Sequence, residues 1–167
     1  KPDDHKTIVA LADAYTDSGR HAEAGQLLEH AINAHPKRRT PELSQLQHRM
    51  ARLARAAGDR SLDYQWMSAS LECDKNNVDV AAELAYLAME LGEHEAALNA
   101  LRAITLAKTE GSMSRAMAFL LQARIAFQRG EARRALLWAR KAREVDPNLQ
   151  EAEDFLRAAT PPDSLAR

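Results

Sequence analysis

The 167-residue chain is 46% hydrophobic and 28% charged, with a formal net charge of −1, which suffices for one compact unit with a real core. No apolar run approaches the ~18 residues of a membrane span, and a single cysteine, Cys73, excludes an internal disulfide and reads as a small buried hydrophobe. Thirty-three alanines against three Phe, three Tyr and two Trp point to closely packed helices, because alanine is the best helix former. No secretory leader stands at the start, which weakly favours a cytoplasmic location. The chain opens on Lys1 rather than Met.

The first hydrophobic pattern sets Ile8, Leu11, Ala12 and Tyr15 at spacings of three and four. A second sets Ala24, Leu27, Leu28, Ala31 and Ile32 beyond Gly19. Both are helical faces, and a glycine between them closes the first helix in the left-handed conformation. The same order returns three times. Leu46, Met50, Leu53 and Ala54 precede Gly58, and Leu62, Trp66, Met67 and Leu71 follow it. Val80, Leu84, Leu87 and Ala88 precede Gly92, and Ala97, Leu98, Leu101 and Ile104 follow. Phe119, Ala123, Ile125 and Ala126 precede Gly130, and Ala135, Leu136, Ala139 and Ala142 follow. Asp146-Pro147 then reads as the N-cap and first-turn proline of a ninth helix. That helix carries Ala152, Phe155 and Leu156 on one side and Gln150, Glu151, Glu153 and Asp154 on the other, as a stack needs to cover its open end. Thr160-Pro161-Pro162 ends it and leaves a tail over 160–167.

The four glycines are separated by 39, 34 and 38 residues, and each follows an alanine by seven: Ala12, Ala51, Ala85 and Ala123. A fixed period with a fixed companion marks a repeat protein. The pattern resembles the tetratricopeptide repeat, a helix-turn-helix of about 34 residues. In the first repeat Leu11-Ala12, Tyr15, Gly19, Ala24, Leu28, Ala31 and Pro36 fall on the family's signature positions, with Ile8 where tryptophan is usual. The fourth keeps Ala123, Gly130, Ala135, Ala142 and Pro147. The third keeps Leu84-Ala85, Gly92 and Ala97, with Thr109 for the proline. The second departs furthest: Asp63 replaces an alanine and Lys75 the proline, although Asp74-Lys75-Asn76-Asn77 echoes the common Asp-Pro-Asn-Asn link. The resemblance covers about residues 5–149. It implies an all-α, right-handed solenoid over 1–159, with repeats at about 5–38, 40–77, 78–111 and 112–149 and a capping helix at about 148–159.

The two long periods have local causes. Thr40-Pro41-Glu42 reads as an N-cap, a first-turn proline and a favourable first-turn acid, and Ser112 can cap in the same way. The second and fourth repeats are therefore expected to start their first helix about a turn early, in preference to a loop insertion at each join. Both also carry a tryptophan eight residues after the glycine, Trp66 and Trp138, which suggests an array built as two pairs.

Residues for chemistry are scarce. The histidines at 5, 21, 30, 35, 48 and 94 form no metal-ligand spacing with one another or with Cys73. The glycines are spread by the period, so none builds a phosphate-cradling loop, and Asp63 beside Tyr64 reads as a decayed repeat position rather than a catalytic pair. No cofactor, metal or catalytic role is expected. Charge is more telling. Residues 37–60 carry seven Lys/Arg against two acids, residues 72–95 seven acids against Lys75, and residues 115–143 eight Lys/Arg against Glu131. A nucleic-acid partner is disfavoured, because the acidic band would interrupt a phosphate track and few aromatics are available for stacking.

The family resemblance implies that the first helix of each repeat lines a concave groove. The stripes that avoid the buried alanines are Lys6, Val9, Asp13 and Thr16; then Gln45, His48, Arg52 and Arg55; then Asp79, Ala82, Tyr86 and Met89; then Met117, Leu120, Arg124 and Phe127, each at one-face spacing. His48, Arg52, Arg55, Tyr86, Met89, Leu120, Arg124 and Phe127 are the candidate partner-binding residues, with a groove running from polar through basic to apolar. The alternative for the apolar stripe is core, covered by the ninth helix or by a neighbouring repeat. The expected partner is a protein or peptide segment with acidic and apolar residues. Peptide-binding family members that clamp chaperone C-termini use lysine and asparagine on successive groove helices. Val9, Asp13, His48, Arg52, Asp79 and Ala82 stand here instead, so that clamp is not expected. The alternative functions are a spacer or self-association segment of a larger assembly, or an accessory array for an enzyme or secretion channel elsewhere in the full chain.

Overall fold

The computed structural model describes residues 4–36 and 39–159. The breaker at 160–162 and the tail lie outside the described residues. Those described form helices and connections with no strand: α1 (His5–Asp17), α2 (His21–Ala34), α3 (Pro41–Ala56), α4 (Arg60–Cys73), α5 (Val78–Leu91), α6 (His94–Leu106), α7 (Arg115–Gln128), α8 (Ala132–Val145) and α9 (Gln150–Ala159).

Each periodic glycine ends the first helix of its repeat as the spacing predicts. Gly19, Gly58, Gly92 and Gly130 have φ of 76°, 77°, 77° and 75°, and no other described residue has positive φ. The amide after each glycine reaches back to a carbonyl of the last turn: Arg20 to Tyr15 at 2.8 Å, Asp59 to Ala54 at 2.9 Å, Glu93 to Ala88 at 2.8 Å and Glu131 to Ala126 at 2.9 Å. This is the Schellman closure, which satisfies carbonyls that the helix end leaves free. The companion alanines are buried, at 1% exposure for Ala12 and 0% for Ala51, Ala85 and Ala123.

The joins differ from one another. Thr40 caps α3 by accepting from the Leu43 amide at 3.2 Å, with Pro41 in the first turn. At 16 residues α3 is the longest helix described, so the early start expected of the second repeat is present. The fourth repeat departs from expectation. Ser114, not Ser112, accepts from the Met117 amide at 3.1 Å, and α7 starts only at Arg115. The added residues form a connection over 107–114, anchored by buried Met113 and by Arg115 donating to the Ala107 carbonyl at 2.8 Å. Asp146 likewise does not cap α9. Its carboxylate accepts from the Asn148 amide at 2.9 Å, as Asp74 accepts from Asn76 at 3.0 Å. Both joins are Asx turns, and α9 begins only at Gln150. The Lys75 amide takes no part in that turn, so the position suits proline and lysine alike.

The chain divides into two compact halves, Lys1–Leu84 and Ala85–Arg167, with the border inside α5. In the first half α1 packs on α2 and α3 on α4, while α3 also meets α1 and α2. Its core gathers Ala12, Leu28, Ala31 and Leu46, flanked by Ile8, Leu27, Met50 and Leu53. In the second half α7 packs on α6 and α8, and α8 on α9. Ala123, Ala139 and Leu156 form one cluster there, and Leu120, Ala142 and Ala152 another. Alanines at the helix crossings let the backbones approach, and interiors at this density tolerate little added volume. Cys73 is half-buried rather than fully buried, and desolvation raises its thiol pKa.

Candidate partner-binding site

In the first half α3 meets carboxylates from three other helices. Arg49 holds Asp13 of α1 with two bonds, at 3.0 and 2.9 Å. Arg55 holds Asp63 of α4 at 2.8 and 3.3 Å and reaches Glu83 of α5 at 2.8 Å. His48 pairs with the other oxygen of Glu83 at 3.2 Å. Asp63 is 1% exposed, so the residue that breaks the alanine pattern of the repeats is a buried carboxylate matched by the forked guanidinium of Arg55. Hydrogen bonding from His48, then from Arg55, outweighs burial and lowers the Glu83 pKa to about 2.

His48 and Arg55 are thus committed to internal carboxylates. Arg52 is exposed and makes no hydrogen bond or ion pair with another described residue. With Arg49 it borders an open depression whose other walls are Asp13, Thr16 and Asp17. No motif in the sequence links Asp13, Arg49, Asp63 and Glu83 as a set. The available signal was an acid at a position that a repeat reserves for a small buried residue, which requires a cation nearby.

In the second half Tyr86 is 49% exposed and Met89 half-buried on α5. On α7, Arg124 is exposed and makes no bond to another described side chain, and one turn on Phe127 is 52% exposed. Phe127 meets Phe155 of α9 edge-to-face, with centroids 5.8 Å apart. Leu120 is a correction. It is 0% exposed and packs with Ala142 of α8 and Ala152 of α9. It lies one turn before Ala123, where those small residues close over it. Phe127 lies one turn beyond, where Phe155 covers only part of the ring.

Among the described residues no group of three His, Cys, Asp or Glu side chains could hold a metal ion, and no helix is long and apolar enough to cross a membrane.

A tetratricopeptide repeat family model matches residues 5–38. The chain matches no curated protein in sequence. Among solved structures, a tetratricopeptide repeat protein from Parabacteroides merdae is similar at TM-score 0.69 and 20% identity, over 93% of this chain and 59% of that one. The MamA protein gives 0.66 and 17%, over 93% and 80%. PilF of Pseudomonas aeruginosa gives 0.60 and 18%, over 93% and 67%. At such identities the likeness speaks for the fold alone.

Proposed function

From a tetratricopeptide-repeat chain, whose family generally mediates protein–protein interaction, we propose a scaffold that holds a partner segment on the first helices of its repeats. The observation that carries this is the exposure of Tyr86 on α5 and Phe127 on α7, both first helices of their repeats. In a chain with eight aromatic residues, two large rings left half in water suit contact with a partner, since aromatic side chains and arginine concentrate at interfaces. Arg124 stands one turn from Phe127 without an internal carboxylate, as Arg52 does on α3. Either can take a carboxylate in a two-bonded pair. The partner segment therefore carries an acid beside a large apolar residue. Met89 adds a deformable apolar contact. Leu120 takes no part, and His48 and Arg55 act by holding α3 to α4 and α5.

A random-peptide selection on the immobilised protein tests the proposal. Enriched sequences should pair Asp or Glu with a large apolar residue. The Arg124→Glu/Phe127→Ala variant should bind them about tenfold or more weakly, with charge reversal slowing association and ring loss speeding dissociation. Enriched peptides that bind this variant as well as the wild type would place recognition on another surface.

A further inference from the structure

The second helix of the fourth repeat has an outer face that neither the fold nor the proposed function uses. Along α8, Ala135, Ala139 and Ala142 are fully buried. On the opposite side Arg133, Leu137, Arg140 and Glu144 recur at spacings of four, three and four, which is one helical face. All are exposed, Leu137 at 51%. Lys141 flanks the stripe, its ammonium 4.8 Å from the ring centre of Trp138 and 5.8 Å from that of Phe119. These two rings stack at 5.7 Å and 15°. Of the cations on α8, Arg134 pairs with Glu131 and Arg143 with Glu153. Arg133 and Arg140 have no carboxylate partner among the described residues, and Lys141 is engaged by rings rather than by an acid.

We infer that this face of α8 is a second docking surface, for an acidic segment of a partner protein with an aliphatic side chain set between its carboxylates. Unneutralised guanidinium groups supply the charge complementarity, and Leu137 between them is the apolar seat. Seven residues of helix separate Arg133 from Arg140 by about 10 Å. The matching carboxylates are therefore two helical turns apart in a helical partner, or three residues apart in an extended one. A phosphate track fits less well, because Leu137 and Glu144 stand on the same stripe as the arginines.

Trp138 adjoins this face, so a Trp66→Phe protein leaves one tryptophan as reporter. The probe is a capped synthetic helical peptide with glutamates two turns apart and leucine midway. Matched peptides carry lysine for glutamate or alanine for leucine. In about 50 mM salt the glutamate peptide should shift Trp138 emission saturably and the lysine peptide should not. Arg133→Glu/Arg140→Glu should weaken binding about tenfold or more, and raising salt to about 0.5 M should weaken it several-fold. The neutral pair Arg133→Gln/Arg140→Gln should lose most of the affinity too, and it stands in if the reversed pair misfolds. Lys75→Gln, remote in sequence and in the other half, controls for bulk charge. The inference is overturned if the glutamate peptide does not bind, if the arginine variants bind it unchanged, if the leucine-free peptide binds equally, or if phosphatidylserine vesicles or duplex DNA bind the same face more tightly. The first-helix proposal is not touched by any of these results, since it concerns other helices.

Discussion

Gly92 sits at φ 77° with nothing within 4 Å of where a Cβ would stand, so backbone strain alone sets the cost of replacing it. A β-branched residue resists that conformation. Gly92→Val should therefore lose about 1 kcal/mol or more, while Gly111→Ala, at a glycine without positive φ, should change the melting temperature little. Equal melting temperatures for Gly92→Val and wild type would show that the closure can re-form without glycine. Positions of this kind were legible because they recur at fixed distances: the alanine seven residues before each glycine is buried in all four repeats. Leu120 and Asp63 were not. Whether Leu120 faces water depends on where Ala142 and Ala152 arrive from later in the chain. The use of Asp63 depends on a guanidinium from the preceding helix. The period marks Asp63 as an exception that needs a cation but does not say which, and it gives no sign at all for Leu120.

At the scale of elements, α3 is held by charge as well as by its apolar face. Its side chains reach Asp13 on α1, Asp63 on α4 and Glu83 on α5. The Glu83 carboxyl has its pKa lowered to about 2 by hydrogen bonds from His48 and then Arg55, against about 4.3 in an unfolded chain. A depressed carboxyl contributes stability that is present above the unfolded value and lost as pH falls toward the folded one. Wild type should thus exceed Glu83→Gln in chemical-denaturation midpoint at pH 7. The gap should close between about pH 4.3 and pH 2. A gap that stays constant across that window would mean the charge on Glu83 contributes nothing. The same helix shows what turn chemistry can and cannot reveal. Thr40-Pro41 announced the start of α3 because cap and first-turn proline are adjacent. Ser112 and Ser114 offer the same hydroxyl two residues apart, and it is Ser114, beside buried Met113, that caps α7.

Across the whole molecule, repeats are held mainly by their neighbours, so damage to one should stay near it rather than spread through the array. Each half carries one tryptophan, Trp66 on α4 in the first and Trp138 on α8 in the second, which gives each half its own reporter. Leu156 of α9 is 9% exposed and packs with Ala123 and Ala139. Leu156→Ala leaves a void between those alanines and the half-buried Leu136, Trp138 and Phe155, at a cost of about 2–3 kcal/mol. Fluorescence unfolding in the Trp66→Phe background should show the Trp138 transition lowered by several degrees or more. In the Trp138→Phe background the same substitution should move the Trp66 transition much less. Equal shifts in the two backgrounds would mean that the halves unfold as one cooperative block. A partner bound on one set of repeats would then stabilise the whole chain. With unequal shifts the stabilisation reaches only the half that makes the contacts, and the two tryptophans then tell which half a partner has engaged.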